Sequence, residues 1–310
     1  MTTNIPLRWL LTVPFALPTI AAVMLVGYLS YRSGQEAVKT LTQQLVTETN
    51  QRVTQELRTY LHTPLLLNRL NVDAVQQAQL DPQNIPLLES ALLNRLEQFE
   101  QMSAVLFVSP EGTFRAVERL PFRRLVVADP NRPNQIRVYP LDQNGKRGKL
   151  VEVINNVDVR RDRPWYKRAV TTGKLGWNPL FQHGSTNVLT LNASQPVYDR
   201  DTRQLLGVFS VHIRLSYLNE FLRHLELSNF GRVMITDQNG ILISTSTLEQ
   251  PFSIASGTGF HKQFQRLTLE ASQDDLTRSL GQYLRDRPDA LASLTPTPQL
   301  KFAHNGEQHY

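Results

Sequence analysis

Cysteine is absent from the 310 residues. That excludes a disulfide framework and thiol catalysis, and it fits a domain exported from the cytoplasm. Histidine is scarce, seven in all. His183, His212, His224 and His261 show no tight metal-ligand spacing, so no metal or other cofactor is expected. The chain has no Gly-x-Ser-x-Gly, no phosphate loop and no His-Glu-x-x-His. The adjacent carboxylates Asp274 and Asp275 sit at a helix start, where capping is the expected role. These absences argue against an enzyme. The 27 acidic residues are outnumbered by 33 lysines and arginines, a net charge of +6. The arginines are scattered, with no basic stripe interleaved with aromatics, so nucleic acid is not an expected partner.

Long hydrophobic runs are also few, and one stands out. Residues 9–31 carry no charge, and these 23 residues would make a helix of roughly 34 Å, enough to span a bilayer. Trp9, Tyr28 and Tyr31 lie near its ends, where aromatic belts form. Pro14 and Pro18 are tolerated in membrane helices. No Ala-x-Ala-like site follows, which favours an uncleaved anchor over a signal peptide. Basic residues flank both ends, so the charge rule barely sets the orientation.

After this stretch comes a polar helical segment. Val38, Leu41, Leu45, Val53, Leu57 and Leu61 recur at three-to-four spacing, which predicts an amphipathic stalk. Its heptads are too irregular to stand alone as a coiled coil. A second helix is expected over 85–102. Strands follow at 104–109, 113–117, 136–139, 150–154, 188–197 and 205–213, with a helix over 164–172 and another over 215–225. Hairpins at 232–244 and 299–310 enclose a helix over 275–285. Strands in antiparallel hairpins with segregated helices give an α+β class.

The densest chemistry lies in residues 158–169. Arg160, Arg161, Arg163 and Arg168 accompany Asp158 and Asp162, and Pro164 suits the first position of a helix. Trp165 and Tyr166 leave its first turn as rigid amphipathic groups, and Arg163 can fork onto a carboxylate. By spacing alone, this is equally a buried structural corner. Strand 205–213 splits by parity. Phe209, Val211 and Ile213 point one way, and Val208, Ser210 and His212 the other. In strand 188–194, Asn192 and Ser194 share a comparable mildly polar face. The two faces and the Arg163 corner outline a candidate ligand cavity, weighed against a solvent-exposed sheet face.

The run Arg163, Pro164, Trp165, Tyr166 resembles a signature of double Cache sensor domains, the extracytoplasmic ligand-binding modules of bacterial transmembrane receptors. Segments 176–181, 190–199, 206–213, 215–222 and 231–245 resemble the same family in the same order, over roughly residues 34–310. The resemblance implies a cytoplasmic tail (1–8), a transmembrane helix (9–31), a stalk helix (34–80) and two PAS-like antiparallel-sheet subdomains, membrane-distal (81–227) and membrane-proximal (228–310). The second would be incomplete, so the chain reads as an amino-terminal fragment whose output domain, a histidine kinase, nucleotide cyclase or chemotaxis transducer, lies beyond it. It also implies an inner-membrane location with residues after about 32 outside the cytoplasm, a homodimer, and a small-molecule ligand.

The implied ligand contacts are Arg163, Trp165, Tyr166, Phe181, Asn192, Ser210 and His212. In amino-acid-sensing members, the arginine and aromatics hold the ligand carboxylate, and an aspartate on the later strand takes its ammonium group. His212 stands in the aspartate's place, and neutral histidine supplies no negative charge. A carboxylate or another anion therefore fits better than an amino acid, since protonated His212 could join Arg163. Phe181 stands where a ligand-facing tyrosine is expected. The spacing from Asp158 to Arg163 is one residue longer than the commonest form. It leaves open which of Arg160, Arg161 and Arg163 faces the pocket. The competing reading is an anchored binding or scaffolding protein without signalling output.

Overall fold

In the computed structural model the backbone is described for residues 7–182, 188–225, 231–256, 263–287, 302–304 and 307–309, with side chains from residue 16 to residue 287 except at 182–187, 226–230 and 254–263. Helix α1 runs Leu7–Gln76. Two units, residues 1–55 and 56–310, divide the chain within it. Among the described residues no helix is long and apolar enough to cross a membrane. The side chains at 9–15, part of the uncharged stretch, lie outside the described residues.

In the larger unit, helix α2 (Ile85–Gln98) starts where Asn84 accepts a hydrogen bond from the Leu87 amide and Pro86 occupies the first turn. Leu88, Leu92 and Leu96 recur every four residues and are its buried positions, the stripe a helix needs to pack on a sheet. The strands β1 (Met102–Val108), β2 (Phe114–Glu118), β3 (Arg124–Ala128), β4 (Gln135–Pro140) and β5 (Glu152–Asn155) come next. They lead into the short helix α3 (Val159–Asp162) and helix α4 (Pro164–Thr172). Strands β6 (Gly176–Trp177), β7 (Phe181–Gln182), β8 (Leu189–Tyr198) and β9 (Leu205–Arg214) complete one sheet of nine strands, followed by helix α5 (Ser216–Arg223). The sheet order is β5-β4-β3-β2-β1-β9-β8-β6, with β7 also paired to β8, and all pairs are antiparallel.

Parity divides this sheet into two faces, as expected for β9. On one face Val105, Phe107, Val117, Val127, Phe209, Val211 and Ile213 form a core with Tyr60, Leu67 and Val72 of α1 and the three leucines of α2. Phe107 and Phe209 meet there with ring centroids 4.8 Å apart. The backbones of β9 and β1 approach so closely that a Cβ on Gly207 would come within 2.6 Å of the Val108 carbonyl. On the other face Leu106, Val108, Ala116, Val126, Val138 and Val208 pack under Val159, Trp165 and Tyr166.

Helix α1 is also tied to the sheet by polar contacts. The Tyr60 hydroxyl donates to the Arg214 carbonyl, at 2.5 Å, and its ring stacks on Tyr217 at 4.8 Å. Asn68 Nδ2 donates both to the Pro64 carbonyl of its own helix and to the Ala193 carbonyl of β8, each at 2.9 Å.

The remaining strands are β10 (Met234–Thr236), β11 (Leu242–Thr245), β12 (Phe252–Ser256), β13 (Gln263–Arg266), β14 (Phe302–His304) and β15 (Glu307–His309), with helix α6 (Asp275–Arg285) before the last two. Among the described residues they form three separate two-stranded ladders rather than a single sheet. The expected hairpin at 232–244 and the expected helix are present, and 302–304 pairs with 307–309 in the last hairpin; its ends, 299–301 and 310, and its turn, 305–306, lie outside the described residues. Leu242, Leu269 and Leu284 make a small core here. The Asp274 side chain caps α6 by accepting from the Thr277 amide. Asn219 of α5 accepts from Ser244 Oγ at 2.7 Å and from the Thr245 amide, joining β11 to the helix that leaves the large sheet.

Candidate functional site

The backbone at 158–173 is fixed by its own sequence. Asp158 caps α3 by accepting from the Arg160 amide, and Asp162 Oδ2 accepts from the Asp158 amide at 2.8 Å. Pro164 opens α4, and Gly173 closes it at φ +65, with its N–H bonded to the Ala169 carbonyl. That left-handed conformation suits glycine. Between the two caps, Trp165, Tyr166 and Ala169 are buried against the sheet.

The three candidate arginines take different places. Arg160 is held by both Asp158 oxygens and by the Pro110 carbonyl. Its hydrogen bond with Asp158 holds that carboxyl below its ordinary range, and Asp158 raises Arg160 in turn. Arg161 is exposed and paired with Asp162. Arg163 faces a cavity of about 60 Å³ under α4, together with Trp165, Phe181 and His212. Burial lowers the pKa of Arg163, opposed by the nearby carboxylates Glu118 and Asp162.

Sheet register builds the polar side of this cavity. Across neighbouring strands, Arg124 of β3 lies opposite Glu118 of β2, Glu118 opposite Ala104 of β1, Ala104 opposite His212 of β9, and His212 opposite Asn192 of β8. Five strands thus contribute one transverse row. Its charged pair is tight: Arg124 Nε and a terminal nitrogen both donate to Glu118 Oε2, at 2.7 and 2.6 Å. Ala104, almost fully buried, is the small residue between the ion pair and the imidazole. The ring edges of Trp165 and Phe181 stand over His212, centroids 6.3 and 5.4 Å away and interplanar angles near perpendicular at 80° and 78°. Leu106, Val126, Val138 and Ile154 supply the apolar floor, and Glu152 sits at the exposed edge.

Four of the seven predicted contacts, Arg163, Trp165, Phe181 and His212, therefore line one cavity. Asn192 and Ser210 are wholly buried behind it. Asn192 Nδ2 donates to Ser210 Oγ at 2.9 Å and lies 3.5 Å from His212 Nε2, while the Ser210 hydroxyl donates to the Ala193 carbonyl at 3.2 Å. Tyr166 packs edge-on to Trp165, centroids 6.2 Å apart, but is not among the cavity-lining residues. Burial pushes its hydroxyl up, partly offset by Arg160. Ser194 Oγ donates to the Trp165 carbonyl and accepts from Asn178 Nδ2, which fixes the corner from below.

Sequence reasoning missed Glu118, Arg124, Ala104 and Glu152. A signal was available for two of them: Glu118 and Arg124 end adjacent apolar strands, where opposite charges pair across a hairpin. Chemically, the cavity combines two guanidiniums, an imidazole and two carboxylates over an apolar floor. A volume of about 60 Å³ gives roughly four or five water-sized positions.

No curated protein matches the chain. Among solved structures it resembles the ligand-binding domain of the Campylobacter jejuni chemoreceptor Tlp3 in complex with 4-methylisoleucine (13% identity, 66% of this chain and 68% of that one, TM-score 0.44). It also resembles the ligand-binding domain of the Pseudomonas aeruginosa PAO1 amino acid chemoreceptor PctC in complex with GABA (19% identity, 66% and 74%, TM-score 0.42). A third is the ligand-binding domain of Mlp24 with asparagine (15% identity, 88% and 86%, TM-score 0.47). A family model described as a Cache domain, dCache_1, matches residues 30–304, and on that match the chain belongs to the double Cache family.

Proposed function

We propose that this chain is the extracytoplasmic sensing module of a membrane-bound receptor and that the cavity under α4 takes a small carboxylate or similar anion. The observation that carries the reading is the polar row Arg124–Glu118–Ala104–His212–Asn192, buried in a Cache fold beneath Arg163 and Trp165. Buried charges are costly unless they are paired or face a ligand. Glu118 pairs with Arg124 and also acts on Arg163, together with Asp162, and His212 brings no negative charge for an ammonium group. An anion resting against Arg163 and His212 is the occupant this arrangement favours. Residues 9–31 would anchor the chain, with 1–8 in the cytoplasm. Helix α1 would carry the ligand's effect from the distal subdomain (81–227), past the proximal one (228–310), to an output domain outside this sequence. Ligand binding shifts such a system only by its difference in affinity for two states. A homodimer paired along the stalk is part of this proposal.

The test is a thermal-shift screen of the purified chain against short carboxylates, dicarboxylates, amino acids, amines, purines and simple anions, repeated with Arg163→Ala and His212→Ala. An anion that raises the melting temperature of the wild type and of neither variant supports the reading. A well-folded sample that responds to nothing shifts weight to an anchored scaffolding protein.

A further inference from the structure

We propose that the cavity takes up a proton on His212 together with its carboxylate, and that Asn192 passes this event through the sheet to Asn68 on helix α1. The inference rests on the cavity being the ligand site and adds how occupancy is sensed.

Charge balance is the first observation. Among the described residues, the charged groups lining the cavity are Arg124 of β3, Glu118 of β2, Arg163 ahead of α4 and Glu152 of β5, the last at its exposed edge. Among the same described residues, helix α4 and strand β7 present the uncharged rings of Trp165 and Phe181 to His212, β1 presents Ala104, and β8 presents Asn192. Two positive and two negative groups sum to zero with the imidazole neutral. An entering carboxylate leaves one uncompensated negative charge in a poorly solvated space, and a proton on His212 restores neutrality.

Hydrogen-bond geometry is the second. Asn192 Nδ2, a donor, lies 3.5 Å from His212 Nε2, which suits a ring nitrogen carrying a lone pair. Asn192 is fully buried, and its Oδ1 accepts no hydrogen bond among the described residues. When the Nε2 lone pair takes a proton from solvent, two donors face each other. A half-turn of the amide brings Oδ1 against Nε2–H and carries Nδ2, which now donates to Ser210 Oγ, into the place of Oδ1. That oxygen then also lies where Ser210 Oγ now meets Nδ2, 2.9 Å away. The Ser210 proton, given at present to the Ala193 carbonyl, turns to Asn192 Oδ1. The Ala193 carbonyl keeps its other side-chain donor, Asn68 Nδ2. The atom that holds α1 at this point thus gains or loses a competing hydrogen bond according to the charge on His212.

The experiment is nuclear magnetic resonance of the full chain in detergent micelles, with labelled histidine and asparagine, titrated over pH without and with acetate or propionate. The expected result is that the Asn192 and Asn68 side-chain amides shift with the same midpoint as the His212 ring. Carboxylate should raise that midpoint by about one pH unit, so that the protonated cavity binds about tenfold more tightly. In Asn192→Leu, His212 should still titrate while Asn68 stays still. In His212→Gln neither pH nor carboxylate should move Asn68. An Asn68 amide that ignores the titration of His212, or follows it unchanged in Asn192→Leu, overturns the relay. A midpoint that both carboxylates leave in place overturns the joint uptake. If a neutral compound nevertheless stabilises the wild type and not Arg163→Ala in the thermal screen, the sensor reading stands while this proposal falls.

Discussion

The ion pair in the cavity wall has a stability consequence that can be worked out. Glu118→Gln keeps the shape of the side chain and removes its charge. The side chains of Arg124 and Glu118 are 6% and 10% exposed, so little water can take over. The substitution leaves the Arg124 guanidinium buried without its carboxylate and removes one of the two carboxylates, Glu118 and Asp162, that act on Arg163. Breaking a buried pair from one side costs about 3–5 kcal/mol, which for a unit of this size lowers the melting temperature by roughly 6–20 °C. Replacing both partners, Glu118→Leu with Arg124→Met, removes the desolvated charge altogether and should recover most of that loss. Urea titration followed by tryptophan fluorescence, together with calorimetry, measures both effects. Acetate should stabilise Glu118→Gln more than the wild type, because the variant exposes two cations to the cavity. A loss under about 1 kcal/mol, or a double variant no more stable than the single one, would refute the reasoning.

Gly207→Ala should destabilise the sheet by about 1–3 kcal/mol in urea titration, since the added methyl meets the Val108 backbone and the Phe107 ring. Asp274→Ala removes the cap of α6 and should cost about 1 kcal/mol, read as earlier melting of the residue 231–287 region in hydrogen exchange. Tyr60→Phe leaves the Arg214 carbonyl without its phenolic donor and should cost about 1 kcal/mol by the same urea titration; burial pushes that phenol up, so it donates at any working pH. Asp158 and Asp162 are held below their ordinary values, first by their hydrogen bonds to Arg160 and Arg161. Their contribution is therefore present above about pH 4, the unfolded carboxylate value, and is lost as pH falls through the lower folded values. Amide protection at Asp158 and Arg160, corrected for intrinsic exchange, should drop as the pH falls below about 4.

Much of this architecture was legible because period and punctuation agreed. Strands β8 and β9 alternate cleanly and are bounded by the polar loop at 199–203, and α6 has its cap and its amphipathic stripe. The parity of β9 correctly separated the core-facing Phe209, Val211 and Ile213 from the opposite set. Strand β3 was missed because Arg124 begins it and the chain before it, Leu120 to Arg123, reads as loop. The polar row was beyond reach for a different reason. Periodicity assigns each side chain to a face, but only register decides which residues stand side by side. Ala104 and His212 are brought opposite each other across a long separation in sequence. The choice of Arg163 over Arg160 and Arg161 likewise depended on which carboxylates captured the other two.

The alternation along β9 sets a rule for how this protein can change. Each residue from Val208 to Ile213 is buried and belongs to one of two faces, the one packed on α1 and α2 or the one under α4, where His212 reaches the cavity wall. A single-residue insertion or deletion within the strand would exchange the two sets downstream of it, turning His212 toward α1 and a large aliphatic side chain into the cavity. Substitutions at even positions, by contrast, leave the helix-packed side untouched. The lining of the cavity can therefore drift by point replacement while the scaffold is conserved, and any change of length must be accommodated in the loop at 199–203.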